Sequence, residues 1–141
     1  GDVHISGNSL SSLSGLNSLT SIGGSLRISH NYGLANLSGL DNLASTGGDL
    51  QISGNSSLTS LTGLDSLISI GGSLTISGAH LTGLTALSNL DSIGGDLSII
   101  ENDSLTSLLG LENDARRATR ERFKAAEVRR GYACWSAAFF S

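Results

Sequence analysis

Four Gly-Gly pairs, at Gly23/Gly24, Gly47/Gly48, Gly71/Gly72 and Gly94/Gly95, stand 24, 24 and 23 residues apart. A fixed period of that length marks one supersecondary unit repeated along a solenoid. Each pair opens the same alternating segment: Leu26 and Ile28, Leu50 and Ile52, Leu74 and Ile76, Leu97 and Ile99, with Val3 and Ile5 as the first copy. A period of two is a strand with one face turned inward. Five coils of 23–24 residues can therefore stack five parallel strands into one ladder.

After the strand comes an asparagine, at Asn8, Asn31, Asn55 and Asn102, with Ala79 breaking the series. An asparagine amide both donates and accepts, so where the chain turns inward it can satisfy backbone groups of its own and the adjacent coil. These four residues are expected to form an internal structural ladder. The pattern then changes to one apolar residue in three, as in Leu58, Leu61, Leu64, Leu67 and Ile70. That spacing suits neither an α-helix nor a flat strand, but it suits a chain of tight or 3₁₀-like turns. Gly15, Gly39, Gly63 and Gly110 recur within it, where a positive φ or close approach to the next coil is expected; the fourth coil has Ala86 instead.

The last coil departs from the others. Ile100 and Leu109 replace serines and threonines at outward positions, which implies that something covers them. The cover is expected at once: Asn113 and Asp114 can cap a helix over about 114–130, with Arg129 and Arg130 in its last turn and Gly131 as its stop. Ala115, Thr119, Phe123 and Ala126 make its apolar stripe. Beyond it, Tyr132, Trp135, Phe139 and Phe140 gather most of the chain's aromatic residues into a tail that folds back over the cap or docks on another chain. The expected division is a solenoid over 1–111 and a capping helix with aromatic tail over 112–141.

Charge follows the same division. Residues 1–111 hold eight acids and one base, Arg27, whereas 112–141 hold four acids and seven bases. So acidic a solenoid repels phosphate, which argues against nucleic acid as a partner. A single cysteine, Cys134, cannot staple the fold internally. No apolar run approaches the roughly 18 residues of a membrane span, so no membrane insertion is expected. The chain starts at Gly1 and holds no methionine, as expected of a processed product or excised fragment with any targeting signal upstream.

Outward strand positions fall into three rows: Asp2, Ser25, Asp49, Ser73 and Asp96; then His4, Arg27, Gln51, Thr75 and Ser98; then Ser6, Ser29, Ser53, Ser77 and Ile100. Carboxylates on alternate coils, about 9 to 10 Å apart, reach the spacing of an inverting glycosidase. Nothing else in that row supplies a raised pKa, so a polysaccharide-active enzyme ranks third among the readings. The histidines His4, His30 and His80 fall in different coils and phases, too scattered for a zinc site. Of the sequons at Asn36, Asn55 and Asn102, only Asn36 lies on a turn open to glycosylation.

The motif I-G-G-x-L-x-I-x-x-N, as in Ile22 to Asn31, resembles receptor L-domain-like leucine-rich repeats over residues 1 to about 111. The resemblance implies a right-handed, β-helix-like solenoid, extracellular or displayed at the cell surface, that works by surface recognition and adhesion without a cofactor. The leading expectation is a non-enzymatic module that binds a protein or glycan through Arg27, Asp49, Gln51, Thr75, Asp96 and Ser98. Inward positions repeat from coil to coil while these outward ones differ. The alternative is a structural subunit that assembles head-to-tail with its own copies, through Ile100, Leu109, Phe123, Tyr132, Trp135, Phe139 and Phe140.

Overall fold

A computed structural model describes residues 1–7, 9–105 and 110, and the backbone of 133–135. The chain is a parallel β-solenoid of about four turns. Its long ladder stacks β1 (Val3–Ser6), β3 (Leu26–Ser29), β5 (Leu50–Ser53), β7 (Leu74–Ser77) and β9 (Leu97–Ile100) in unbroken register, Ile on Ile throughout and Leu on Leu except where Val3 meets Leu26. The five strands fall where the alternation puts them. Ala79-His80 is one residue shorter than Asn55-Ser56-Ser57 of the preceding coil, and the difference falls after the strand, so the β7–β9 register has no bulge.

A second ladder corrects the expectation of only one. Two-residue strands β2 (Ser21–Ile22), β4 (Ser45–Thr46), β6 (Ser69–Ile70) and β8 (Ser92–Ile93) pair in parallel immediately before the Gly-Gly pairs. Two residues are too few for a periodic signal. Thr46 is buried in this ladder among isoleucines, and its hydroxyl donates to the Gly48 carbonyl at 3.1 Å.

Between the ladders, the three-residue period is a run of turns closed three residues back. Leu40 N–H donates to Leu37 O at 3.1 Å and Leu43 N–H to Leu40 O at 2.9 Å, and Leu64 and Leu67 repeat the pattern. Each turn returns the next leucine to the interior. The result is one continuous core from Leu13 to Leu105, in which Leu37, Leu40, Leu61, Leu64, Leu84 and Leu87 are buried. Complete burial of a leucine contributes about 1.5–3 kcal/mol, so the inward repeat supplies most of the cohesion.

The Gly-Gly pairs exist because coils touch there. A Cβ on Gly71 would sit 2.2 Å from the Gly47 carbonyl oxygen, and one on Gly72 would sit 2.2 Å from Asp49 Oδ1. No side chain fits between stacked coils at that spacing. Gly39 and Gly63 are different: φ is +116° and +113°, and the N–H of each donates to the carboxylate two residues on, Asp41 or Asp65. Where that carboxylate is replaced, by Asn17 or Ser88, the turn becomes 3₁₀ instead, over Ser14–Leu16 and Thr85–Leu87. Gly15 and Ala86 therefore need no positive φ.

At the far end, β10 (Ala133–Trp135) pairs antiparallel with β9, setting Ala133 against Ile99, Cys134 against Ser98 and Trp135 against Leu97. It covers the edge that the last coil presents. The expected helix over 114–130, with Phe123, lies outside the described residues, as do Asn8, Leu109, Tyr132, Phe139 and Phe140.

Candidate functional site

The long ladder turns its alternate side chains outward, and the three rows have different roles. In the first row, Ser25 N–H donates to Asp2 Oδ1 (2.8 Å), Asp49 N–H to Ser25 Oγ (3.0 Å), Ser73 N–H to Asp49 Oδ1 (2.8 Å) and Asp96 N–H to Ser73 Oγ (3.0 Å). Each side-chain oxygen accepts the backbone N–H of the same position one coil on. One oxygen of the Asp49 carboxylate is thereby engaged in holding coils together, although the residue is exposed.

The middle row is where the side chains reach one another and the solvent. Arg27 is exposed, and its Nε donates to Gln51 Oε1 at 2.9 Å across adjacent strands. His4 Nε2 lies 3.2 Å from the hydroxyl of Ser29, which is itself buried. Thr75 and Ser98 continue the row, both half-buried. Around Arg27 the surface dips into a shallow depression of about 350 Å³, whose walls include His4, Arg27, Ser29, His30, Gln51 and Ser53. A neighbouring hollow of about 260 Å³ runs past Asp2, Ser25 and Arg27.

His4 and His30, apart in phase along the sequence, thus line one depression. His30 leaves the strand with φ of +56°, which swings its ring back toward the face. Its ring meets that of Tyr32 edge-on, with centroids 6.4 Å apart and planes at 78°. Tyr32 is 47% exposed, and with Ile68 it is one of the large apolar side chains exposed among the described residues. Sequence periodicity passes over His30 and Tyr32 because they lie in the turn after β3, where it has already ended.

The asparagines sit on the inside of that same turn. Asn31, Asn55 and Asn102 are fully buried. Asn55 Nδ2 donates to Ile28 O at 3.0 Å while its Oδ1 accepts the N–H of Asn31 at 2.9 Å; Asn31 Nδ2 donates to Ile5 O and Asn102 Nδ2 to Ile76 O, both at 3.2 Å. These side chains bind coil to coil. Asn36, by contrast, is exposed, its Oδ1 accepting the N–H of Ser38 at 3.0 Å.

Among the described residues, no three of His, Cys, Asp and Glu converge on a metal-sized site, and no helix is long and apolar enough to cross a membrane. Ile100 is half-buried at the end of β9, one residue past the span that β10 pairs. No family model, no curated protein and no solved structure matches the chain.

Proposed function

We propose that the solenoid is a non-enzymatic recognition module, extracellular or at the cell surface, that binds a protein or glycan through the outward face of its long ladder. The observation that carries this is the contrast between two sides of the same strands. Inward, Leu-x-Ile stacks on itself through four coils; outward, the middle row reads His4, Arg27, Gln51, Thr75, Ser98, a different residue in every coil. Stacking requires the first and is indifferent to the second, so the variety is free to encode a partner.

In the adjoining row Asp2 and Asp49 accept backbone N–H groups and so carry structural work, which leaves recognition to the middle row. The extracellular placement rests on the I-G-G-x-L-x-I-x-x-N motif alone, and secretion of the full-length gene product tests it. Head-to-tail assembly through the aromatic tail is the weaker reading, because Ala133–Trp135 pair with this chain's own last coil. Sedimentation velocity should accordingly give a monomer across concentrations.

The direct test is an alanine block across Arg27, Gln51 and Thr75, assayed against every partner recovered from a protein and glycan binding screen. Loss of at least one partner with an unchanged melting temperature is expected. Retention of all partners would place recognition elsewhere on the molecule.

A further inference from the structure

Arg27 is the sole lysine or arginine in residues 1–111, which carry eight acids. On so acidic a surface an arginine within reach of a carboxylate would pair with it. Among the described residues none does, and the partner of its Nε is the neutral amide of Gln51, at 2.9 Å. That bond holds the guanidinium plane and uses one of its five donors, leaving the four Nη hydrogens as a fork for a planar or tetrahedral oxyanion. No acid lines the larger depression, and Asp2 shares only the neighbouring hollow with Arg27.

The remaining groups have a different chemistry. Ser29, Ser53, His4 and Gln51 can each donate and accept, which suits a ligand rich in hydroxyls. His30, which also lines the depression, meets the half-exposed ring of Tyr32 edge-on. On the reading of this face as a binding surface, on which the inference rests, we infer that the depression takes an acidic saccharide: a sugar residue carrying a carboxylate or sulfate. Its anion sits on the Arg27 fork and its hydroxyls on Ser29, Ser53 and His4. Asp2 and Asp49 in the adjoining row repel anions in general, so attraction is confined to the one carboxylate or sulfate that reaches the fork and does not grow with the charge of a longer chain.

The test is calorimetric titration of the full chain with four tetrasaccharides: tetragalacturonate, its methyl ester, a sulfated galactan and its neutral counterpart. The acidic ligands should bind, and the ester and neutral ones should bind at least about tenfold more weakly. The carboxylate and sulfate arms identify which oxyanion the fork accepts. Arg27→Gln should cost about tenfold in affinity and Arg27→Lys less, both without a change in melting temperature. Arg129→Gln with Arg130→Gln should change nothing, which separates the fork from attraction to the basic C-terminal segment.

Equal binding of the ester overturns the anion assignment and leaves the face intact. Binding that survives Arg27→Gln overturns the location. If no tetrasaccharide binds at about 1 mM, the saccharide inference fails. The recognition face is then judged separately, by the alanine block against protein partners.

Discussion

Asp49 Oδ1 accepts the backbone N–H of Ser73, one coil further on, at 2.8 Å. Ser73 Oγ in turn accepts from Asp96 N–H at 3.0 Å, and the same exchange links Asp2, Ser25 and Asp49. Carboxylate and hydroxyl serve equally well as acceptors here. Their alternation separates the charges by two strand spacings, about 9.6 Å, instead of one.

Ser73→Asp should therefore keep the hydrogen bond yet bring three carboxylates into adjacent coils. We expect a loss of about 1 kcal/mol that shrinks in high salt, read by urea denaturation at two ionic strengths. Asp49→Ser should be close to neutral, and Asp49→Ala should lose about 1 kcal/mol with no salt dependence.

The glycines make a sharper contrast. Gly72→Ala places a Cβ 2.2 Å from Asp49 Oδ1 and 2.9 Å from backbone atoms of the coil below, whereas Gly15→Ala meets nothing within 4 Å. Thermal melts should show the first destabilised by about 1–3 kcal/mol or more, and the second within about 0.5 kcal/mol of the parent.

Asn55→Ala removes the donor to Ile28 O and the acceptor for Asn31 N–H, both inside the core. Leaving the buried Asn31 N–H unpaired, with one of the bonds to Ile28 O lost, should cost about 1–3 kcal/mol. Hydrogen exchange at the Asn31 amide should accelerate more than at amides of β9.

Glu101 has φ of +55°, a conformation that its counterparts Gly54 and Gly78 adopt without a Cβ penalty. Glu101→Gly should stabilise the solenoid by about 1 kcal/mol in equilibrium unfolding. A destabilised variant would mean that the Glu101 side chain does more than occupy the turn.

Much of this architecture is legible in the residues. Leu50 and Ile52 announce an inward strand face because burial acts on every second side chain, and Asn55 marks the turn because a buried amide must be satisfied. The short ladder through Ser45 and Thr46 is not legible, since two residues cannot carry a period. Nor is the engagement of Asp49 with Ser73 N–H: an outward carboxylate looks the same in sequence whether it faces a ligand or the next coil. The alternation Asp-Ser-Asp-Ser-Asp was the available signal, because a recognition row need not alternate. His30 and Tyr32 escape for a third reason, as the left-handed turn at His30 redirects the chain after the periodic segment has ended.

The central claim, that recognition occurs on the long ladder, is tested most directly by mapping amide chemical shifts of the labelled chain during titration with a bound partner or with tetragalacturonate. The account predicts that the shifts cluster at His4, Arg27, Ser29, Gln51 and Ser53, while Ser21, Ser45, Ser69 and Ser92 of the short ladder stay still. Shifts confined to the short ladder would contradict it.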